Sequence, residues 1–234
     1  MKPDRNEKHG ADWTRLAVLT LFSFVLIATV TTAQEVETGR TGPEEEPGTT
    51  ESLFEQSDLG NVAQAGNMHY HSGMRQLKRA EKLEVKVDES EPGEKREKAE
   101  AKVQKAYEEA IEEFKQAIGY VPDMMEAYVG LGTALRRIGM NADALKVHAA
   151  ALGRVPQDLD NFEGWADSLV ALNMLGDATT AYTSLAQSQP AQAAILMDAM
   201  KKWLVEKQAD PGDLNPADVD RLAGWIEQNE RGTG

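Results

Sequence analysis

A repeated spacing of thirty-four residues limits the possible folds of this chain more than any other feature. Matching residues recur at that offset in six places: Ala110 and Ala144, Phe114 and His148, Ala117 and Ala151, Ile118 and Leu152, Val121 and Val155, and Pro122 and Pro156. A fixed period of this length is typical of repeated supersecondary units, because each unit must stack on a neighbour to bury its apolar face. The sequence therefore predicts an array of small units.

A second comparison extends the repetition at an offset of thirty-seven residues. It aligns Tyr128 with Trp165, Leu135 with Leu172, Gly139 with Gly176, and Ala144 with Ala181. This alignment predicts three additional residues in the linker between Gln157 and Asn161. Gly139 and Gly176 are expected to end the first helix of each pair, because glycine tolerates positive φ.

Apolar residues within each unit are spaced for helices. Ala106, Ala110, Phe114 and Ala117 follow one another at steps of three or four residues, which places them on one face of a helix. No strand-like alternation follows the amino-terminal segment. The predicted fold class is therefore all-α, with pairs of amphipathic helices.

One stretch of the chain matches a known repeat. Its residues are Ala127, Tyr128, Leu131, Gly132, Leu135 and Gly139, followed by Ala144, His148, Ala151 and Pro156. This pattern resembles the tetratricopeptide repeat (TPR), a helix–turn–helix unit of thirty-four residues. Residues 125–158 match most of the pattern, whereas residues 66–122 and 162–188 are degenerate units. The resemblance implies a TPR-like α-solenoid of about three helix pairs over residues 61–188, with capping helices over residues 189–229.

The first unit contains a long insert. Gly73 lies thirty-seven residues before Ala110, whereas Gly132 lies only twelve residues before Ala144, so twenty-five residues are inserted. The inserted stretch carries charges of alternating sign, which is typical of solvated helix faces. We expect two overlong helices that form a hairpin with its tip at residues 91–93. This layout is similar to that of exported repeat proteins of proteobacteria.

The amino-terminal segment has the pattern of an export signal. Residues 16–30 carry no charge, and fifteen residues fall short of the roughly twenty that span a bilayer as a helix. The small residues Thr31 and Ala33 follow at the positions required for cleavage between Ala33 and Gln34. The sequence predicts a signal peptide over residues 1–33 and a periplasmic protein. An uncleaved anchor in the inner membrane remains an alternative.

An acidic segment follows the predicted cleavage site. Residues 34–60 contain eight acidic side chains and one basic side chain, with few apolar residues. Such a segment buries too little apolar surface to offset the loss of chain entropy on folding. We expect a disordered acidic linker over these residues.

Composition excludes several classes of function. The chain has 25 basic and 39 acidic residues, and its net charge of −14 argues against nucleic-acid binding. The absence of cysteine excludes disulfides, Cys-ligated metals and thiol catalysis. His69 and His71 lie two residues apart on a predicted helix and point in different directions, so they do not form a metal site. His148 is expected to be a packing residue, because no nucleophile is predicted beside it. The sequence therefore predicts no enzyme activity, metal, cofactor or small-molecule substrate.

The resemblance implies that the first helix of each pair lines a concave binding surface. The candidate binding residues are Tyr70, Met74, Glu126, Val129, Thr133, Arg136, Arg137, Glu163, Val170 and Asn173. Arg136 and Arg137 form a basic pair in an acidic protein and are the preferred polar anchor, although a salt bridge to a neighbouring helix would explain them equally well.

Two functions remain open at this point. The first is an extracytoplasmic scaffold that binds a protein or peptide of the cell envelope on the concave surface. The alternative is a structural subunit that associates with itself through the charged hairpin and the carboxy-terminal helix.

Overall fold

A computed structural model describes residues 50–89 and 91–231 of the chain, with side chains from residue 60 onward. These ranges contain eight helices and no strand. The helices are α1 Thr50–Asp88, α2 Glu94–Tyr120, α3 Met125–Arg137, α4 Asn141–Arg154, α5 Leu159–Ala171, α6 Leu175–Leu185, α7 Pro190–Ala209 and α8 Pro216–Arg231. The all-α prediction is confirmed for this part of the chain.

The predicted signal peptide, with its cleavage site at Ala33 and Gln34, and most of the acidic linker lie outside the described residues. None of the described helices is both long and apolar enough to cross a membrane. The linker was expected to continue to residue 60, but α1 already begins at Thr50. The difference arises because Pro47 and Gly48 precede this point, and the residues after it include the good helix formers Glu and Leu.

Helices α1 and α2 form the long hairpin that the inserted residues predict. Helix α1 ends at Asp88 and α2 begins at Glu94. Gly93, at the end of the connection, has a φ of 142°, a value that residues with a Cβ rarely adopt. The two helices pack along each other, with Leu77 and Ala80 of α1 in one apolar cluster with Tyr107 of α2.

The remaining helices continue as pairs in one regular arrangement. We call α1, α3, α5 and α7 the first helices, and α2, α4, α6 and α8 the second helices. Each first helix contacts the first helix of the next pair. The second helices α2, α4 and α6 also contact the first helix of the next pair. The first helices therefore form one continuous layer, and α7 belongs to it.

The α3–α4 and α5–α6 pairs are offset by thirty-four residues, so the predicted offset of thirty-seven is wrong. The turn of the α3–α4 pair has positive φ at Gly139 (81°), and that of the α5–α6 pair at Asn173 (57°), thirty-four residues later. Gly176 lies inside α6. Pro122, Pro156 and Pro190 follow the same period. The sequence comparison aligned Gly139 with Gly176 because both are glycine. The structural equivalent of Gly139 is Asn173, because asparagine also tolerates the left-handed conformation.

Two rings occupy equivalent positions between successive first helices. Phe114 of α2 lies against Gly73 of α1 and Gly130 of α3, and a Cβ at either glycine would overlap the ring. Thirty-four residues later, His148 of α4 lies in the same way against Gly132 of α3 and Gly164 of α5. Glycine at these positions allows the ring of a second helix to pack between two first helices.

His148 is the polar member of this series. It is 1% exposed, and its Nδ1 lies 3.0 Å from Oδ1 of Asn161 on α5. Asn161 donates through Nδ2 to the carbonyl of Met125, so its Oδ1 accepts and His148 Nδ1 donates. Burial is the main cause that lowers the pKa of His148, so the ring is neutral in the folded protein at pH 7.

The carboxy-terminal helices close the end of the array. Helix α7 buries Leu196, Met200 and Trp203 against the preceding pair, and α8 buries Val219 and Ile226. These are residues of one large apolar cluster that extends back to α4. The predicted helices of residues 189–229 are present, and α7 has a second role as a member of the layer of first helices.

Candidate protein-binding groove

A groove of about 400 Å³ crosses the layer of first helices toward the carboxyl ends of α3 and α5. We call it the central groove. Its walls are formed by Thr133, Arg136, Arg137, Asn141, Asp167, Val170, Ala171, Ala199, Lys202, Trp203 and Glu206. Three consecutive first helices contribute side chains to it because α3 contacts α5, and α5 contacts α7. Four of the ten predicted binding residues therefore lie together: Thr133, Arg136, Arg137 and Val170.

Arg136 is paired within the wall of the groove. Its Nη2 lies 2.8 Å from Oδ2 of Asp167 on the next first helix, and the two side chains are 32% and 22% exposed. The guanidinium and the carboxylate largely neutralise each other. The sequence left two explanations for Arg136, a polar anchor for a partner or a salt bridge to a neighbouring helix. The structure shows the salt bridge.

Arg137 lies at the boundary between the groove and the long hairpin. Its Nη1 lies 3.7 Å from Oε2 of Glu84 on α1, and its side chain is 53% exposed. A pair at that distance and exposure is weak. Behind Glu84 lies the buried Tyr107, whose hydroxyl has no hydrogen bond of ordinary geometry. Burial, followed by the nearby Glu84, raises the pKa of Tyr107.

Helix α7 contributes a cation and an aromatic ring. Lys202 and Glu206 are exposed, one helical turn apart, and no ion pair involves Lys202 among the described residues. Trp203 is 4% exposed and donates through its indole Nε1 to Oδ1 of Asn173 at 3.1 Å. Asn173 was predicted to line the binding surface, but it lies in the turn after α5, where it holds the neighbouring helix α7.

The other predicted binding residues lie away from the central groove. Tyr70 and Met74 pack on the apolar cluster of the hairpin, and the ring of Tyr70 lies 6.2 Å from that of Phe114. Glu126 and Glu163 are exposed near the amino ends of α3 and α5, and Val129 is half-buried on α3. Their distance from the groove follows from their positions at the opposite ends of these helices.

Sequence reasoning missed the contribution of α7. Lys202, Trp203 and Glu206 were assigned to a cap, and the comparison at thirty-seven residues hid the relation of this helix to the earlier ones. Pro190 carried the missing signal, because it follows Pro156 by thirty-four residues, as Pro156 follows Pro122. A first helix beginning near Pro190 places its later turns beside Asp167 and Val170.

A second cavity, of about 740 Å³, lies along α1 and is bordered by His69 and His71. Nδ1 of His69 lies 2.7 Å from Oε2 of Glu113, and its ring stacks on Tyr120 with 5.5 Å between the centroids. His69 thus joins α1 to α2. In residues 60–89 and 91–231, no group of three or more His, Cys, Asp or Glu residues has a geometry that could hold a metal ion.

Several charges of the long hairpin are paired within α2. Lys98 pairs with Glu94, and Lys105 with Glu109, each one turn apart on α2. Such exposed pairs contribute little to stability and are typical of a solvated helix face. Self-association through the hairpin stays a prediction.

Comparison with models of protein families and with curated proteins gives no match for this chain.

Proposed function

We propose that this chain is a TPR-like interaction module that binds a segment of a partner protein in the central groove. The observation that supports the proposal is the continuous layer of first helices, in which α3, α5 and α7 contribute side chains to one groove. Stacked helix pairs use such a layer to bind extended peptides or helices. The thirty-four-residue offset between the α3–α4 and α5–α6 pairs supports the TPR-like description.

The chemistry of the groove suits a peptide. Val170 and Ala199 lie at the floor of the groove but are only 5% and 3% exposed, whereas Ala171 is exposed and leaves space at the end of α5. Thr133 and Asn141 offer hydrogen-bonding groups beside these residues. Apolar side chains with a few polar groups around them are the usual composition of a protein-binding site, in which the polar groups fix orientation. Export to the periplasm, or anchorage in the inner membrane, remains part of the proposal and is based on the amino-terminal sequence.

A blocking substitution tests the proposal. A displayed library of random twelve-residue peptides is selected for binding to the wild-type protein. The peptides recovered are then tested against Ala171→Trp, which fills the groove without changing charge. The matched control is Ala150→Trp, on the exposed side of the second helix α4.

We expect Ala171→Trp to weaken binding of the selected peptides at least tenfold, whereas Ala150→Trp leaves it within a factor of two. Circular dichroism of both variants should match the wild type, because both positions are exposed. Recovery of no binding peptide, or equal binding by both variants, would refute the proposal.

A further inference from the structure

We propose that the partner segment is an extended, acidic one, with two side-chain carboxylates five or six residues apart that pair with Lys202 and Arg137. This inference rests on the proposed function and specifies the chemistry of the partner. The observation behind it is that some charged side chains of the central groove pair with each other, whereas others have a weak ion pair or none.

Three cations and two carboxylates border the central groove. Arg136 and Asp167 neutralise each other at 2.8 Å, and Arg137 has a longer contact of 3.7 Å with Glu84, which lies beside the groove. With Lys202 and Glu206, the charges in and beside the groove are close to balanced, in a chain whose net charge is −14. Two of the cations, Arg137 and Lys202, have a weak ion pair or none among the described residues, and such cations favour an acidic partner, both during encounter and in the complex.

Lys202 is the stronger of the two anchors. It is exposed on α7 and no ion pair involves it in residues 60–89 and 91–231. Its neighbour Lys201 pairs with Glu230 of α8, so the two adjacent lysines face different surroundings. A carboxylate that binds Lys202 does not have to displace an existing partner.

Arg137 is the second anchor. Its contact with Glu84, at 3.7 Å, is longer than a charge-assisted hydrogen bond, and about half of the side chain is exposed. The guanidinium has five N–H donors, so a peptide carboxylate can bind while the contact with Glu84 persists.

The position of the anchors on different helices sets the spacing of the carboxylates. Arg137 is on α3 and Lys202 is on α7, with α5 packed between the two helices. Neighbouring helix axes lie about 8–10 Å apart, so the anchors are on helices separated by about 16–20 Å. An extended segment that crosses the three helices advances about 3.3 Å per residue, which corresponds to five or six residues.

The test uses the random twelve-residue library and a double-mutant cycle. Each Asp or Glu of the strongest selected peptide is replaced by its amide, and binding is measured to the wild type, Lys202→Gln and Arg137→Gln. Lys146→Gln on the second helix α4 is the control, because it changes the net charge equally outside the groove.

We expect selected peptides to be enriched in acidic pairs five or six residues apart. One amide replacement should weaken binding to the wild type about fivefold, yet have little effect on binding to Lys202→Gln. The other replacement should show the same relation to Arg137→Gln, and affinity for the wild type should fall as salt is raised.

Binding peptides that lack acidic residues, or peptides whose carboxylates show no coupling to Lys202 and Arg137, would overturn this inference. If such peptides still lose binding to Ala171→Trp, the proposed function stands and only the acidic chemistry is wrong. If Ala171→Trp has no effect, the groove itself is not the binding surface and both proposals fall.

Discussion

Arg136 and Asp167 form an ion pair between consecutive first helices, with 2.8 Å between Nη2 and Oδ2. The more exposed Arg137, one residue later, has only a weak contact with Glu84. Two adjacent arginines thus have different roles: Arg136 joins the α3 and α5 helices, whereas Arg137 remains accessible at the end of the central groove. Sequence alone presents them as one basic pair.

The first prediction concerns this ion pair. Because both side chains are partly exposed, we expect a coupling of about 0.5–1 kcal/mol in the free energy of unfolding. Urea unfolding of Arg136→Ala, Asp167→Ala and the double variant measures the coupling. A value near zero would show that the pair does not join the two helices energetically.

The second prediction concerns Gly132, which lies against His148. Alanine usually stabilises a helix relative to glycine by about 0.5–1 kcal/mol. At Gly132, however, a Cβ would overlap the imidazole ring, so we expect Gly132→Ala to reduce the unfolding free energy by about 1–3 kcal/mol. Gly153→Ala, where nothing lies within 4 Å of the new Cβ, should be neutral or stabilising. Equal effects of the two substitutions in urea unfolding would contradict the observed packing.

The third prediction concerns the pH dependence of stability. The pKa of His148 is lowered in the folded state, mainly by burial, so below about pH 6.5 the unfolded chain binds more protons at this residue. Its contribution therefore reduces stability as the pH falls through 6.5, until His148 itself is protonated in the folded state.

His148→Phe is the informative variant, because phenylalanine occupies the equivalent position at Phe114. We expect the urea midpoint of the wild type to fall more between pH 7.5 and pH 5.5 than that of His148→Phe. His71→Gln, which replaces an exposed histidine, is the control variant. Identical pH profiles for the wild type and His148→Phe would exclude His148 as the source.

The fourth prediction concerns Asn173, which has a φ of 57° and accepts a hydrogen bond from Trp203. Alanine would lose the hydrogen bond and adopt the left-handed conformation at a cost of roughly 1–2 kcal/mol. Glycine would lose only the hydrogen bond. We therefore expect urea unfolding to rank the stabilities as wild type, then Asn173→Gly, then Asn173→Ala. An alanine variant as stable as the glycine variant would argue against a left-handed turn.

Local patterns in the sequence predicted much of the fold. The spacing of apolar residues predicted the helix that contains Phe114. The insert in the first repeat predicted the long hairpin with its tip near Gly93. Both follow from neighbouring residues along the chain. The register beyond Asn161 was wrong because identity at Gly176 was preferred over the conformational equivalence of Gly139 and Asn173.

The groove was only partly predictable, because it depends on contacts between segments that are distant in the sequence. Thr133 and Val170 were placed by the helical period, whereas Lys202 and Trp203 required knowledge that α7 packs beside α5. The pairing of Arg136 with Asp167 depends on the rotation of two helices about their axes. Helical spacing within one segment does not determine such contacts between segments.

Hydrogen–deuterium exchange with a selected peptide bound tests the central claim most directly, because it locates the binding surface without a substitution. We predict slower amide exchange in the carboxy-terminal halves of α3 and α5 and in α7. Exchange should not change for the exposed residues of α2 and α4. Protection confined to the long hairpin or to the second helices would contradict the assignment of the central groove as the binding site.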